Sequence, residues 1–138
     1  MTATEALKTN LAAHITANMT GSTPVHISGT TAEISPPLIG ISDTGSEIHE
    51  AGDTLMRGVY DIDLEVELAT VPDETTKEEH ATLAHELWCI LASELPPHLT
   101  GTNDLTLFDF RADSGTLESD DGRRSTIFKC FAVACIEP

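Results

Sequence analysis

Basic side chains are scarce in this sequence. Lys and Arg number 7 against 23 Asp and Glu over 138 residues, a formal net charge of −16. A chain so short of cations does not grip nucleic acid over a broad surface, because that affinity comes from neutralised phosphates. An anionic membrane surface repels it as well. It is suited instead to repelling DNA, staying soluble at high concentration, or docking on a basic partner. Long hydrophobic runs are missing too. No stretch of about 18 apolar residues occurs, so no transmembrane helix is expected. Met1 to Ala17 lacks a basic region followed by a long apolar run, so no signal peptide is expected either. Cysteine is limited to Cys89, Cys130 and Cys135, and this odd set suggests no disulfide framework. Assembly or action inside a cell is the simple expectation. There is also no Gly-rich phosphate loop, nucleophile elbow or Walker-type lysine.

What remains is patterning. The length fits a single domain over residues 1–138. Leu7, Leu11, Ile15 and Met19 recur at four-residue steps, which predicts a helix over 3–18. Thr2 and Glu5 fit a capping box, and Gly21 stops the helix. Val25–Ile27 reads as a short edge strand. Pro36–Pro37 closes that stretch, and Leu38–Ile41 reads as a short buried strand. Asp43 to Gly58 is polar and carries Gly45, Gly52 and Gly58, so a long mobile loop is expected there.

The clearest signal follows. Tyr60, Ile62, Leu64, Val66 and Leu68 alternate with Asp61, Asp63, Glu65 and Glu67. Period two means a strand with one core face and one face of four carboxylates. Leu83, Leu87, Ile90 and Leu91 then mark a second helix over 76–95, with Trp88 at its edge and Thr75 or Thr76 as cap. Pro96–Pro97 ends it. Residues 105–111 and 125–136 read as a final antiparallel pair around a polar loop from Asp113 to Arg124. The last strand is apolar on both faces except for Lys129, which suits a central strand or one covered at an interface.

Candidate chemistry is sparse. His85, Glu86 and Cys89 resemble a zinc-helix pattern with Cys replacing the second His, since positions i and i+4 share a helical face. A third ligand is not apparent, and a surface His, a surface Glu and a buried Cys are the reading preferred over a metal site. His80 and His85 diverge around the helix. Cys130 and Cys135 should point to opposite sides of their strand and act as small core residues. Glu118 to Gly122 lacks the ligand spacing of a calcium loop and reads as a solvated turn. No catalytic residue, metal or cofactor is expected.

The carboxylate stripe carries two readings. It is a solvated sheet face, or it lines a surface that must not stick to DNA. The Asp43–Gly58 segment is similarly a surface loop or an arm that orders against a partner, with Ile48, Leu55 and Met56 as its apolar anchors.

The layout resembles the tail terminator proteins of long-tailed bacteriophages, the minor tail protein U type. The matching segments are Ala3–Asn18, Pro37–Ile41, Asp43–Gly58, Val59–Thr70, Thr76–Leu95, Leu105–Arg111 and Ser125–Ile136, nearly the whole chain. The match lies in element order and pattern, with no signature motif, and phage neck and tail-completion proteins share much of it. The resemblance implies a homohexameric ring at the head-proximal end of the tail tube. Such a ring ends tube polymerisation and contacts the tail tube protein and the head–tail connector or stopper. DNA passes through its acidic lumen, and the protein belongs to the virion after assembly in the host cytoplasm. No membrane is involved, and no catalytic residues carry over.

The expected fold is therefore α+β, a four- to five-stranded mixed or antiparallel sheet covered by two helices. The expected role is structural, with Asp61, Asp63, Glu65 and Glu67 facing the lumen. The competing classes are an acidic adaptor or inhibitor that docks on a basic protein, another neck or head-closure protein, and a metal-dependent hydrolase using His85, Glu86 and Cys89.

Overall fold

The computed structural model describes residues 1–27, 36–51, 54–120 and 122–136. Among these, three helices and six strands follow in the order α1 (Ala3–Asn18), β1 (Val25–Ile27), β2 (Leu38–Ala51), β3 (Thr54–Thr70), α2 (Lys77–Leu91), α3 (Pro96–Leu99), β4 (Leu105–Ala112), β5 (Thr116–Asp120) and β6 (Arg123–Ile136). The class is α+β, as the pattern predicts.

Helix α1 starts where the sequence signals. The Thr2 hydroxyl accepts from the Glu5 amide, and the Glu5 carboxylate accepts from the Thr2 amide. Leu7, Leu11 and Ile15 are buried beneath it. Full burial of each stabilises the fold by roughly 1.5–3 kcal/mol. Helix α2 is capped by Thr76, whose hydroxyl accepts from the Glu79 amide. It stops at Leu91, with Ala92 as its C-cap. The expected helix over 76–95, ended by the diproline, is thus too long: α2 stops short of Pro96, which instead opens the short α3, where a proline costs no hydrogen bond.

The six strands form one sheet in the order β1-β2-β3-β6-β4, with β5 also pairing β6. Strand β1 runs parallel to β2, and the other pairings are antiparallel. Strand β6 is central, as its two-sided apolarity predicts. It pairs with β3 along most of its length and with β5 and β4 in succession on its other side. The core lies between the sheet and the helices. Ile62, Leu64, Val66 and Leu68 of β3 and Phe128, Cys130, Ala132 and Ala134 of β6 pack there with Leu7, Leu11, Ile15, Leu87 and Leu91.

Two expectations are corrected. The Asp43–Gly58 segment is the outer part of a β2–β3 hairpin, not a long mobile loop. Glu47 pairs with Asp61, Ile48 with Tyr60, and Ala51 with Thr54. Irregularities at Asp43/Gly45 and Ile48/Glu50 take up the residues that break simple alternation. The Asp113–Arg124 segment contains β5, whose Leu117 pairs with Thr126. That raises the sheet to six strands from the expected four or five.

Candidate functional site

The side of the sheet away from the helices is where the carboxylate stripe lies. On β3, Asp61, Asp63, Glu65 and Glu67 alternate with the buried Ile62, Leu64, Val66 and Leu68, so strand geometry sets them on the outer face. Their cross-strand neighbours share that face. On β6 these are Val133 opposite Asp61, Phe131 opposite Asp63, Lys129 opposite Glu65 and Ile127 opposite Glu67. On β2 they are Glu47, Gly45, Ser42 and Gly40 in the same order. Strand β4 adds Asp109 opposite Val133 and Arg111 opposite Phe131.

The two ends of the stripe are tied down. The Asp61 carboxylate lies 2.6 Å from His49 Nδ1. Glu67 accepts from Arg123 at 2.8 Å, with both side chains largely shielded from solvent. In the middle, Glu65 is half-buried opposite Lys129, and Asp63 is exposed and borders a shallow depression of about 270 Å³ lined by Arg111, Asp113, Lys129 and Phe131. Alternate strand residues are about 6.7 Å apart, so neighbouring carboxylates repel by about 0.6 kcal/mol in water. Salt reduces this further, since the screening length is about 10 Å at 0.1 M. The sheet therefore tolerates a face whose field a polyanion meets at close range.

The other predicted residues are placed differently. Ile48 is exposed on the hairpin, opposite Tyr60. Leu55 and Met56 belong to β3, but their side chains lie outside the described residues. The hairpin thus presents Ile48 as the one described apolar anchor of the three.

The helix-borne candidates do not converge on a reaction centre. Cys89 Sγ and His85 Nε2 are 3.6 Å apart on the exposed side of α2. The Glu86 carboxylate is engaged elsewhere, accepting from the Thr20 amide and from the Thr20 hydroxyl, the latter at 2.8 Å. Among the described residues no group of three or more His, Cys, Asp or Glu is placed to hold a metal. His14 and His98 stack with ring centroids 5.2 Å apart, and burial followed by the facing His98 lowers the His14 pKa. Cys130 is a core residue, its thiol pushed up to about 12 by burial and then by Asp113. Such a thiol stays protonated and unreactive.

Sequence reasoning missed His80. It is 2 % exposed and bridges two strands. Its Nδ1 lies 2.6 Å from the Thr70 hydroxyl and its Nε2 2.8 Å from the Thr126 hydroxyl. A neutral imidazole has one donor and one acceptor nitrogen, and threonine hydroxyls satisfy either. Burial, and then the nearby Arg124, lower its pKa. The signal available was a histidine four residues after the capping Thr76, within the first turns of an acidic helix, which is too common to stand out. Trp88 is also settled: it stacks on Phe128 at 6.1 Å against the core. No protein-family model matches the chain, and none of the curated proteins does.

Proposed function

We propose that this chain is a ring-forming structural subunit of a phage virion, a tail terminator or a closely related neck protein. In this reading the ring ends tail-tube polymerisation and joins the tail to the head connector, and DNA threads its lumen. The observation that carries it is the outer sheet face with Asp61, Asp63, Glu65 and Glu67 in one row, backed by a layer of helices. Turned toward a pore, that row repels the phosphate backbone and keeps the duplex sliding rather than bound. The outer end of the β2–β3 hairpin, where Ala51 pairs with Thr54, is the element proposed to touch the tail tube.

The test is the mass of purified protein by light scattering, followed by cryo-electron microscopy of the assembly. A ring with the four carboxylates on the pore wall supports the reading. A ring with them on its outer wall or in subunit contacts removes the lumen assignment. The same acidic face also suits an adaptor that docks on a basic protein. A monomer at every concentration, ignored by tail tubes and captured by a basic partner, would replace the ring by that adaptor.

A further inference from the structure

The two edges of the sheet differ in character. Strand β1 covers β2 only at Ile39 to Ile41, so from Ser42 onward β2 has a single described strand neighbour, β3. This edge exposes Ile27 at 43 % and Ile48 at 49 %. Among its described side chains Asp43 and Glu47 are exposed acids, and Lys8 reaches the edge and is held by Asp43. On the opposite edge, β4 pairs only with β6 among the described strands. Phe108, at the irregularity between Leu107 and Asp109, is 56 % exposed, and Leu117 of β5 is 54 % exposed. Arg111 of β4 is exposed, and Lys77 and Arg124 rim a cleft of about 410 Å³ that Leu117 borders. Asp109, Asp113 and Glu118 lie among these cations, so the edge is mixed in charge and not acidic.

Four strand spacings separate β1 from β4, about 19 Å. One copy therefore offers two different patches on opposite sides. Each exposes two apolar side chains spaced along its strands. The first carries the exposed acids Asp43 and Glu47, and the other has four of the chain's seven Lys and Arg near it, counting Lys129 of β6. In a protein of net charge −16, copies meet with least repulsion where an acidic edge finds these cations.

We infer that copies of this chain associate head to tail, the β1–β2 edge of one against the β4–β5 edge of the next. Ile27 and Ile48 pack near Phe108 and Leu117, and Glu47 faces Arg111. Two unlike patches cannot make a self-matching two-fold contact, so association runs on until a ring closes. This rests on the ring reading above and specifies its contact.

The experiment uses two full-length variants, Phe108→Glu and Ile48→Glu, each blocking one edge. Both side chains are exposed, so both variants are expected to melt as the unmodified chain does. Leu117→Glu and Ile27→Glu serve as a second pair should either fail to fold. Each variant alone is expected to run as a monomer of 14.8 kDa. Their equimolar mixture is expected to stop at a dimer, twice 14.8 kDa, because each variant retains the edge the other needs. Variants that still form the ring of the unmodified chain, or a mixture that forms no dimer while the unmodified chain forms rings, overturn this contact and leave the ring reading standing. An unmodified chain that never assembles, either alone or with tail tubes, overturns both.

Discussion

Replacing His80 by Ala tests the packing between α2 and the sheet. The side chain is buried and spans from Thr70 at the end of β3 to Thr126 on β6. Truncation removes two hydrogen bonds at about 1 kcal/mol each and leaves two shielded hydroxyls short of a partner. Lost packing around the missing ring adds about 1–2 kcal/mol. The total is about 3–4 kcal/mol. An unfolding entropy of about 0.29 kcal/mol/K for this length converts that to a fall of about 10–14 °C in Tm. Acidity gives the second readout. The folded-state pKa of His80 lies below its ordinary 6.5, so the unfolded chain takes up this proton first as the pH falls. The neutral ring's contribution is intact above pH 6.5 and is lost as the pH drops through the lower folded-state value. His80→Ala should therefore be less acid-sensitive than the unmodified chain. His14 shifts in the same direction, so His14→Ala in both backgrounds separates its share. The assay is urea unfolding at pH 7.5 and at intervals down to pH 5. A loss below about 1 kcal/mol at pH 7.5, or an unchanged acid slope, would refute the bridging role.

Three further outcomes are expected. Gly115→Ala places a Cβ against Thr126 Cγ2 and 2.8 Å from Phe128 Cε1, so it should cost about 1–3 kcal/mol in thermal unfolding and disturb the Trp88 fluorescence. A Tm equal to that of the unmodified chain would show that β5 shifts freely. Arg123→Gln removes the cation from the shielded Glu67 carboxylate and should cost about 1–3 kcal/mol in urea, whereas Arg111→Gln, at an exposed pair, should cost under about 1 kcal/mol. Equal losses would contradict the difference in shielding. Lys129→Gln removes the cation opposite Glu65 and beside Asp63 and should lower stability at low salt by up to about 1 kcal/mol, a loss that fades in about 0.5 M NaCl as screening replaces it. A loss independent of salt would mean that charge on this face is not its source.

The parts of the fold visible in the sequence are those where one physical term dominates. Helix α1 has its apolar stripe and its reciprocal cap, and both ends are as expected. The inner half of β3 was readable because burial on one side and solvent on the other force a period of two. The outer hairpin was not. Gly45, Gly58 and the acidic residues of β2 have poor strand propensity, and the pairing with β3 overrides it. Strand β5 is hidden for the same reason: Thr116–Asp120 is polar, and only its ladder to β6 makes it a strand. In the candidate site the row of carboxylates was evident, but the ties from His49 and Arg123 were not, since each comes from a different strand. His80 shows the general limit. A polar residue becomes structural through partners far along the chain, Thr126 lying 46 residues away.

The central place of β6 also governs how the molecule comes into being. The strand that joins β3 to β4 and β5 is the one nearest the C-terminal end of the sequence. Before it is present, β3 has only the hairpin with β2, and β4 and β5 lack their shared neighbour. Folding must therefore wait for contacts between distant parts of the chain, which makes it slow relative to a helical domain of equal size. During that wait the apolar side of the β2–β3 hairpin is without its cover from β6. The strong negative charge opposes association through that uncovered surface.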